Sequence, residues 1–161
     1  MIRSYLKTRK LYFKNNTVKI MSEFSITSFD FNEGEEIPKK FGYKHENEEP
    51  NISFNRPPPN TTTLVLIMDD PDAMGAVGKV WLHWLQYHNL SDVSPIEGKT
   101  DFGEVKYGGP APPDRRHTYV FKAYALDDVL NLNEGYSKQE LEDAMKGHII
   151  AEAKLTGTFA P

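Results

Sequence analysis

Thr63-Leu64-Val65-Leu66-Ile67-Met68 is an unbroken apolar run of strand length, and it halts at Asp69-Asp70-Pro71-Asp72. A run of that length with no polar alternation reads as a strand buried on both faces. The acidic, proline-bearing stop makes the chain turn. Downstream, residues 81–90 read as a second strand. Period-two alternation sets Trp81, His83, Leu85 and Tyr87 on one face, with Leu82, Trp84, Gln86 and His88 on the other. A third strand, residues 117–126, carries His117, Tyr119, Phe121 and Ala123 on one side.

Outward from these strands the same grammar continues. Residues 24–29 alternate and end at the turn Asn32-Glu33-Gly34. Residues 38–60 are polar and close on Pro57-Pro58-Pro59-Asn60; prolines supply no ladder donors, so the stretch is predicted to be a rigid loop. Tyr107-Gly108-Gly109-Pro110-Ala111-Pro112-Pro113 is a second turn-rich loop. Ser137 and Glu140 form a capping box for a short helix over 138–147, where Leu141, Ala144, Met145 and His148 recur at helical spacing. The last strand alternates Ile149, Ala151, Ala153 and Leu155 with Glu152, Lys154 and Thr156. The expected architecture is mainly β: an antiparallel β-sandwich with one or two short peripheral helices, a single domain over residues 21–161.

Composition narrows the chemistry. The 161 residues include no cysteine, which excludes disulfides, thiolate metal sites and a cysteine nucleophile and fits a reducing, cytoplasmic setting. No apolar run approaches the ~18 residues of a transmembrane segment. The net charge of -4 is uneven: residues 1–20 hold six basic side chains and no acid, so the other 141 residues stand at -10. A body that acidic does not suit a nucleic-acid backbone. The basic segment, residues 1–20, lacks a signal-peptide core and reads as an N-terminal extension, without sustained apolar periodicity, ahead of a plausible start at Met21.

Polar clusters interrupt the strands at their ends: Asp70 and Asp72 after one, His83 within another, His117 and Tyr119 at the start of a third. Ionisable groups in apolar strands cost desolvation, so they pair with each other or serve a site. If these strands are neighbours, the histidines and aspartates converge at one end of the sandwich. Each piece also has an ordinary reading. Asp70-Pro71-Asp72 alone is an Asx-type turn, His83 a satisfied core histidine, Gly108-Gly109 a turn needing positive φ, and Trp81 and Trp84 packing residues.

Together, Asp70-Pro71-Asp72-Ala73, Trp81-Leu82-His83-Trp84, Tyr107 to Pro113, His117-Thr118-Tyr119 and Tyr124-Ala125-Leu126-Asp127 resemble the phosphatidylethanolamine-binding protein family. The resemblance is to its bacterial and archaeal, Raf-kinase-inhibitor-like branch, and it runs from about residue 24 to 159. It implies a Greek-key β-sandwich and a non-enzymatic binding protein, without cofactor or metal, whose small pocket takes phosphate-type or phosphoethanolamine-like head groups. The matching positions are Asp70, Asp72, His83, Gly108, Gly109, Pro110, His117 and Tyr119. Donors for an oxyanion are expected from the histidines, the tyrosine and the Gly108 and Gly109 amides. Asp70 is expected to hold an imidazole in its donor form, and Asp72 to receive a ligand ammonium. The family also implies serine-protease or kinase inhibition as an alternative, through loops such as Pro57-Pro58-Pro59 and Arg115-Arg116. A metal-dependent hydrolase is a third reading of two histidines and two aspartates. Three positions depart from the family pattern: Met74 for proline, Thr118 for arginine, and Asp114-Arg115-Arg116 in place of a glycine-containing segment.

Overall fold

The computed structural model describes residues 11–14, 17–20 and 23–161. Within the basic leader, β1 (Leu11–Lys14) and β2 (Thr17–Ile20) pair as an antiparallel hairpin, Leu11 opposite Ile20. The rest of that leader lies outside the described residues. The body begins with β3 (Ser25–Ser28), which pairs with β4 (Ile52–Asn55). Then come β5 (Thr63–Asp70), helix α1 (Ala73–Val77), β6 (Trp81–Asn89), β7 (Ile96–Glu97), β8 (His117–Leu126), helix α2 (Lys138–Met145) and β9 (Ile149–Phe159).

One five-stranded sheet, ordered β7-β6-β5-β8-β9 and antiparallel throughout, carries the molecule. Strands β5, β6 and β7 follow one another across it, and β8 returns to lie on the far side of β5. That is Greek-key order. The apolar run reads as expected: all eight residues of β5 are buried. Leu64, Leu66 and Met68 join Phe24, Ile26, Ile37, Phe41, Tyr119 and Phe121 in one core beneath the β3–β4 layer. Val65 and Ile67 point the other way, into a second core with Leu85, Tyr87, Leu141 and Met145. Burying each such large side chain contributes about 2 kcal/mol.

Helix α2 starts where its capping box places it. Ser137 Oγ accepts from the Glu140 amide, and the Glu140 carboxylate accepts from the Ser137 amide at 2.7 Å. Its first residue is tied to the sheet by charge. Asp69 Oδ1 and Oδ2, buried at the end of β5, each lie 3.0 Å from Lys138 Nζ, and Oδ2 lies 2.9 Å from Lys122 Nζ of β8.

Two expectations are corrected. Residues 38–60 are not all loop: they contain a 3₁₀ turn at Lys39–Phe41 and the strand β4. Ile52-Ser53-Phe54-Asn55 alternates well enough to pair with β3, and the prolines lie beyond it, after Arg56 takes a left-handed φ of 54°. Proline therefore ends this strand's neighbourhood without excluding the strand. The second correction concerns β6. Met68 pairs with Trp84 but Asp69 pairs with Leu82, so His83 is an extra residue in a β-bulge. The bulge reverses the alternation. His83 no longer shares a face with Leu85 and Tyr87: its ring packs edge-on against Tyr119 of the first core, at 5.1 Å between centroids. Trp84 stays in that core, while Leu82 joins the second.

Candidate functional site

Strand β8 lies beside β5 with its start against the end of β5, which brings the aspartates to the second histidine. His117 is wholly buried, and both of its ring nitrogens meet carboxylates. Nδ1 lies 2.7 Å from Asp70 Oδ2, and Nε2 lies 2.8 Å from Asp114 Oδ1. A neutral imidazole has one N–H; bonding to two carboxylate acceptors needs two. Burial lowers the His117 pKa, but the Asp70 and Asp114 hydrogen bonds and charges outweigh it, and the net shift is upward. The ring is an imidazolium held between two anions. The half-exposed Asp114 is correspondingly lowered, chiefly by its bond to His117.

Asp70 serves two ends at once. One oxygen takes His117, and the other accepts from the Ala73 amide at 3.1 Å, closing the turn into α1. The turn reading and the site reading of this residue are therefore both correct. Asp72 is fully engaged elsewhere: Oδ2 accepts from the Thr118 amide at 2.8 Å and Oδ1 faces Arg115 at 3.3 Å. The Thr118 amide is the main reason its pKa is lowered. Arg115 brings a guanidinium to Asp72.

His83 is held by backbone. Its Nδ1 donates to the Gly108 carbonyl at 2.7 Å, and Gly108 N–H returns a bond to the His83 carbonyl at 2.9 Å. Burial, its largest influence, pushes this imidazole below its ordinary pKa despite the Gly108 carbonyl. At neutral pH the ring is uncharged, with its lone pair on Nε2. Both imidazoles flank Tyr119, His117 at 6.5 Å and His83 at 5.1 Å between ring centroids.

The glycines are required by close approach, not by positive φ. A Cβ on Gly109 would sit 1.9 Å from the Phe41 carbonyl oxygen, and one on Gly108 would sit 2.3 Å from the Phe102 ring. Their amides are not free donors, contrary to the sequence expectation. Gly108 N–H goes to His83, and Gly109 N–H goes to Asn47 Oδ1 at 2.8 Å. Pro110 contributes its carbonyl to the Tyr43 amide at 2.9 Å.

Two buried donors have no hydrogen-bond partner among the described residues: the Tyr119 hydroxyl and Trp81 Nε1. Tyr119 is completely buried, and burial followed by the Asp70 charge raises its pKa, so the phenol stays protonated. Its hydroxyl lies toward Asp70 and the Ala111 amide without a well-formed bond to either. Phe102 packs edge-on against both Trp81 and His83, at 5.5 and 5.3 Å. Phe102, Asn47, Asp114 and Trp81 complete this constellation and were not singled out as site residues from sequence. Asp114 carried a signal as part of the departure from the family pattern, and Trp81 lay in the Trp81-Leu82-His83-Trp84 motif but was read as a packing residue.

A small cavity of about 110 Å³ opens beside the site. It is lined by Lys44, His45, Phe159 and the Pro110–Pro113 segment, and not by the two imidazoles. Among the described residues, no group of three or more His, Asp or Glu side chains is arranged to hold a metal ion. The described residues also include no helix long and apolar enough to cross a membrane.

A family model described as phosphatidylethanolamine-binding protein matches residues 27–160. A UPF0098 protein of Chlamydia trachomatis serovar D is 41% identical over 145 residues, covering 83% of this chain and 97% of its own length. A UPF0098 protein of Methanothermobacter thermautotrophicus is 38% identical over 144 residues, covering 80% and 93%. The crystal structure of a phosphatidylethanolamine-binding protein homologue from C. trachomatis has a TM-score of 0.77 at 40% identity, covering 84% of this chain and 95% of that one. Escherichia coli YbcL, described as a member of the mammalian family, has the same TM-score at 23% identity, covers 86% and 98%, and shares the fold. With its Greek-key sheet and with the family model matched over nearly the whole described body, this chain belongs to the phosphatidylethanolamine-binding protein family.

Proposed function

We propose that this protein is a non-enzymatic binding module for a small phosphate-bearing head group, taken up at the Asp70, His83, His117 and Tyr119 constellation. The observation that carries the reading is the Tyr119 hydroxyl: wholly buried, protonated, flanked by two imidazoles and without a partner. Leaving a buried hydroxyl unpaired costs about 1–3 kcal/mol. Such a group between an imidazolium and a neutral imidazole is suited to donate to a ligand oxygen.

The charged imidazole is not poised for acid–base chemistry. Both His117 nitrogens donate to carboxylates, so this ring has no lone pair with which to take a proton or ligate a metal. His83 Nδ1 is committed to Gly108. What remains is the Tyr119 hydroxyl, a donor without a partner that is suited to an oxyanion, which favours binding over turnover.

Titration of phosphoethanolamine into wild type, Tyr119→Phe and His83→Ala, followed by calorimetry, tests the reading. Loss of about tenfold in affinity in Tyr119→Phe is expected, the worth of one hydrogen bond to a charged acceptor. Equal affinity in all three proteins would remove the constellation from any role in binding.

A further inference from the structure

We propose that the open edge of β9 is a self-pairing seam, through which two copies of this chain join antiparallel at Glu152 and Lys154, with the two-fold axis at Ala153. The inference stands apart from the head-group reading and uses none of its residues.

The edge is defined by which backbone groups already have partners. β9 is the last strand of the five-stranded sheet, with β8 along one side. On its other side the segment before the 3₁₀ turn covers only the end of the strand. Gly34 N–H donates to the Thr156 carbonyl, Ile37 N–H donates to the Thr158 carbonyl, and the Thr158 amide donates to the Glu35 carbonyl. The Thr156 amide donates to the Glu33 carboxylate. Thr156 and Thr158 thus point their peptide groups away from β8, and in an antiparallel strand that direction recurs at every second residue. Lys154 and Glu152 point theirs the same way, and among the described residues no backbone group pairs with them. Ile150 does not continue the series. Ala125 pairs with Ala151 but Leu126 pairs with Ile149, so Ile150 is a bulge, which bends the strand and ends its regular edge.

Two outward residues leave one register to a second copy that uses both. Glu152 of each copy stands opposite Lys154 of the other, and each such pair exchanges both of its N–H···O bonds. This pairing is symmetric about Ala153, as a two-fold interface requires. At the axis alanine faces alanine, small enough for the close approach of a pair without hydrogen bonds.

Charge favours the same register. Glu152 and Lys154 are exposed and lie on the face away from the first core, which Ala151, Ala153 and Leu155 face. Neither has an ion-pair partner among the described residues. Lys154 sits opposite Lys122 of β8, whose own charge is taken by Asp69. Across the seam every Lys154 meets a Glu152. A slip of two residues either way sets Glu152 against Glu152 or Lys154 against Lys154, and like charges directly opposite are destabilising. Charged edges repel strangers; this one is complementary to its own copy. The seam is short, so the dimer is weak and forms as concentration rises.

Sedimentation velocity of the full chain, at concentrations reaching about 1 mM, tests this. The proteins are wild type, Glu152→Lys, Lys154→Glu and the double exchange, with thermal midpoints confirming that each is folded. Wild type is expected to pass from monomer to dimer. Each single variant places like charges opposite at both pairs and is expected to dimerise about tenfold more weakly. An equimolar mixture of the two single variants is expected to recover the dimer, because an acidic edge then faces a basic one. The double exchange is expected to match wild type. A wild type that stays monomeric throughout overturns the proposal, and this includes the case in which another segment of the same chain covers the edge. A dimer that both single variants leave unchanged belongs to another surface and overturns it too. Loss in the single variants without recovery on mixing removes the register, and the proposal with it.

Discussion

His83 and His117 sit on either side of one tyrosine, yet the fold shifts their pKa values in opposite directions. His117 meets two carboxylates, and its pKa is raised; His83 meets a backbone carbonyl in an apolar setting, and its pKa is lowered. Burial is the largest influence on both and acts downward on both. What separates them is the partner: ionised oxygens hold a proton that a neutral carbonyl cannot keep in a buried ring. One side of the site is thus built from charges and the other from close-packed backbone.

The sharpest way to break the charged half is Asp70→Ala. It leaves the buried imidazolium with one partner and is expected to destabilise the fold by about 3–5 kcal/mol, read from denaturant midpoints. The packed half is broken by Gly109→Ala, whose Cβ would meet the Phe41 carbonyl at 1.9 Å. Overpacking against backbone predicts a loss of about 2–3 kcal/mol, with the His83 ring resonances displaced more than those of His117. Tyr119→Phe works the other way. Removing the unpartnered hydroxyl is expected to raise stability by about 1 kcal/mol while weakening ligand binding, a separation that a purely structural residue would not give.

Acidity tests the comparison without mutation. The His117 contribution to stability is fully present below the unfolded imidazole value of about 6.5 and is lost as pH rises through its higher folded value. His83 has the opposite sign: its neutral burial costs nothing above about 6.5, and stability falls as pH drops below that toward its lower folded value. Ring nitrogen spectra at pH 7 are therefore expected to show His117 doubly protonated and His83 neutral. Identical protonation would erase the distinction. The smallest effect sharpens the readout. Glu97, beside Trp84 Nε1, is pushed up to about 7 chiefly by burial, so its proton is lost in the same range. Ionising it costs stability as pH rises through 7. Glu97→Gln removes that slope, with about 1 kcal/mol of relative gain above pH 8 after allowance for solvent screening.

Strand period made most of this fold legible. Residues 63–68 read as a doubly buried strand and are one, and His117, Tyr119, Phe121 and Ala123 share a side: Tyr119, Phe121 and Ala123 lie together in the first core. Ser137 and Glu140 announced α2. The position of His83 was not legible, because a bulge is a property of two strands in register, and neither strand alone records the extra residue. β4 was hidden by the prolines that follow it. At the site, the residue types pointed to pairing, and Asp70 with His117 is such a pair. Which nitrogen met which carboxylate could not be read. The Gly108 and Gly109 amides looked available because a sequence does not show Asn47, some 60 residues upstream, reaching back to one of them.

The consecutive carboxylates Asp69 and Asp70 leave β5 on opposite faces of the sheet. One is clasped by two ammonium groups, one of them from the first residue of α2, and the other by the buried imidazolium. Two adjacent residues thus tie the His117 edge of the sheet to the helix packed on its reverse. If the proposed site takes a ligand at Asp70, slowed amide exchange in α2, on the other face of the sheet, is the expected remote readout, measured by hydrogen exchange with and without phosphoethanolamine.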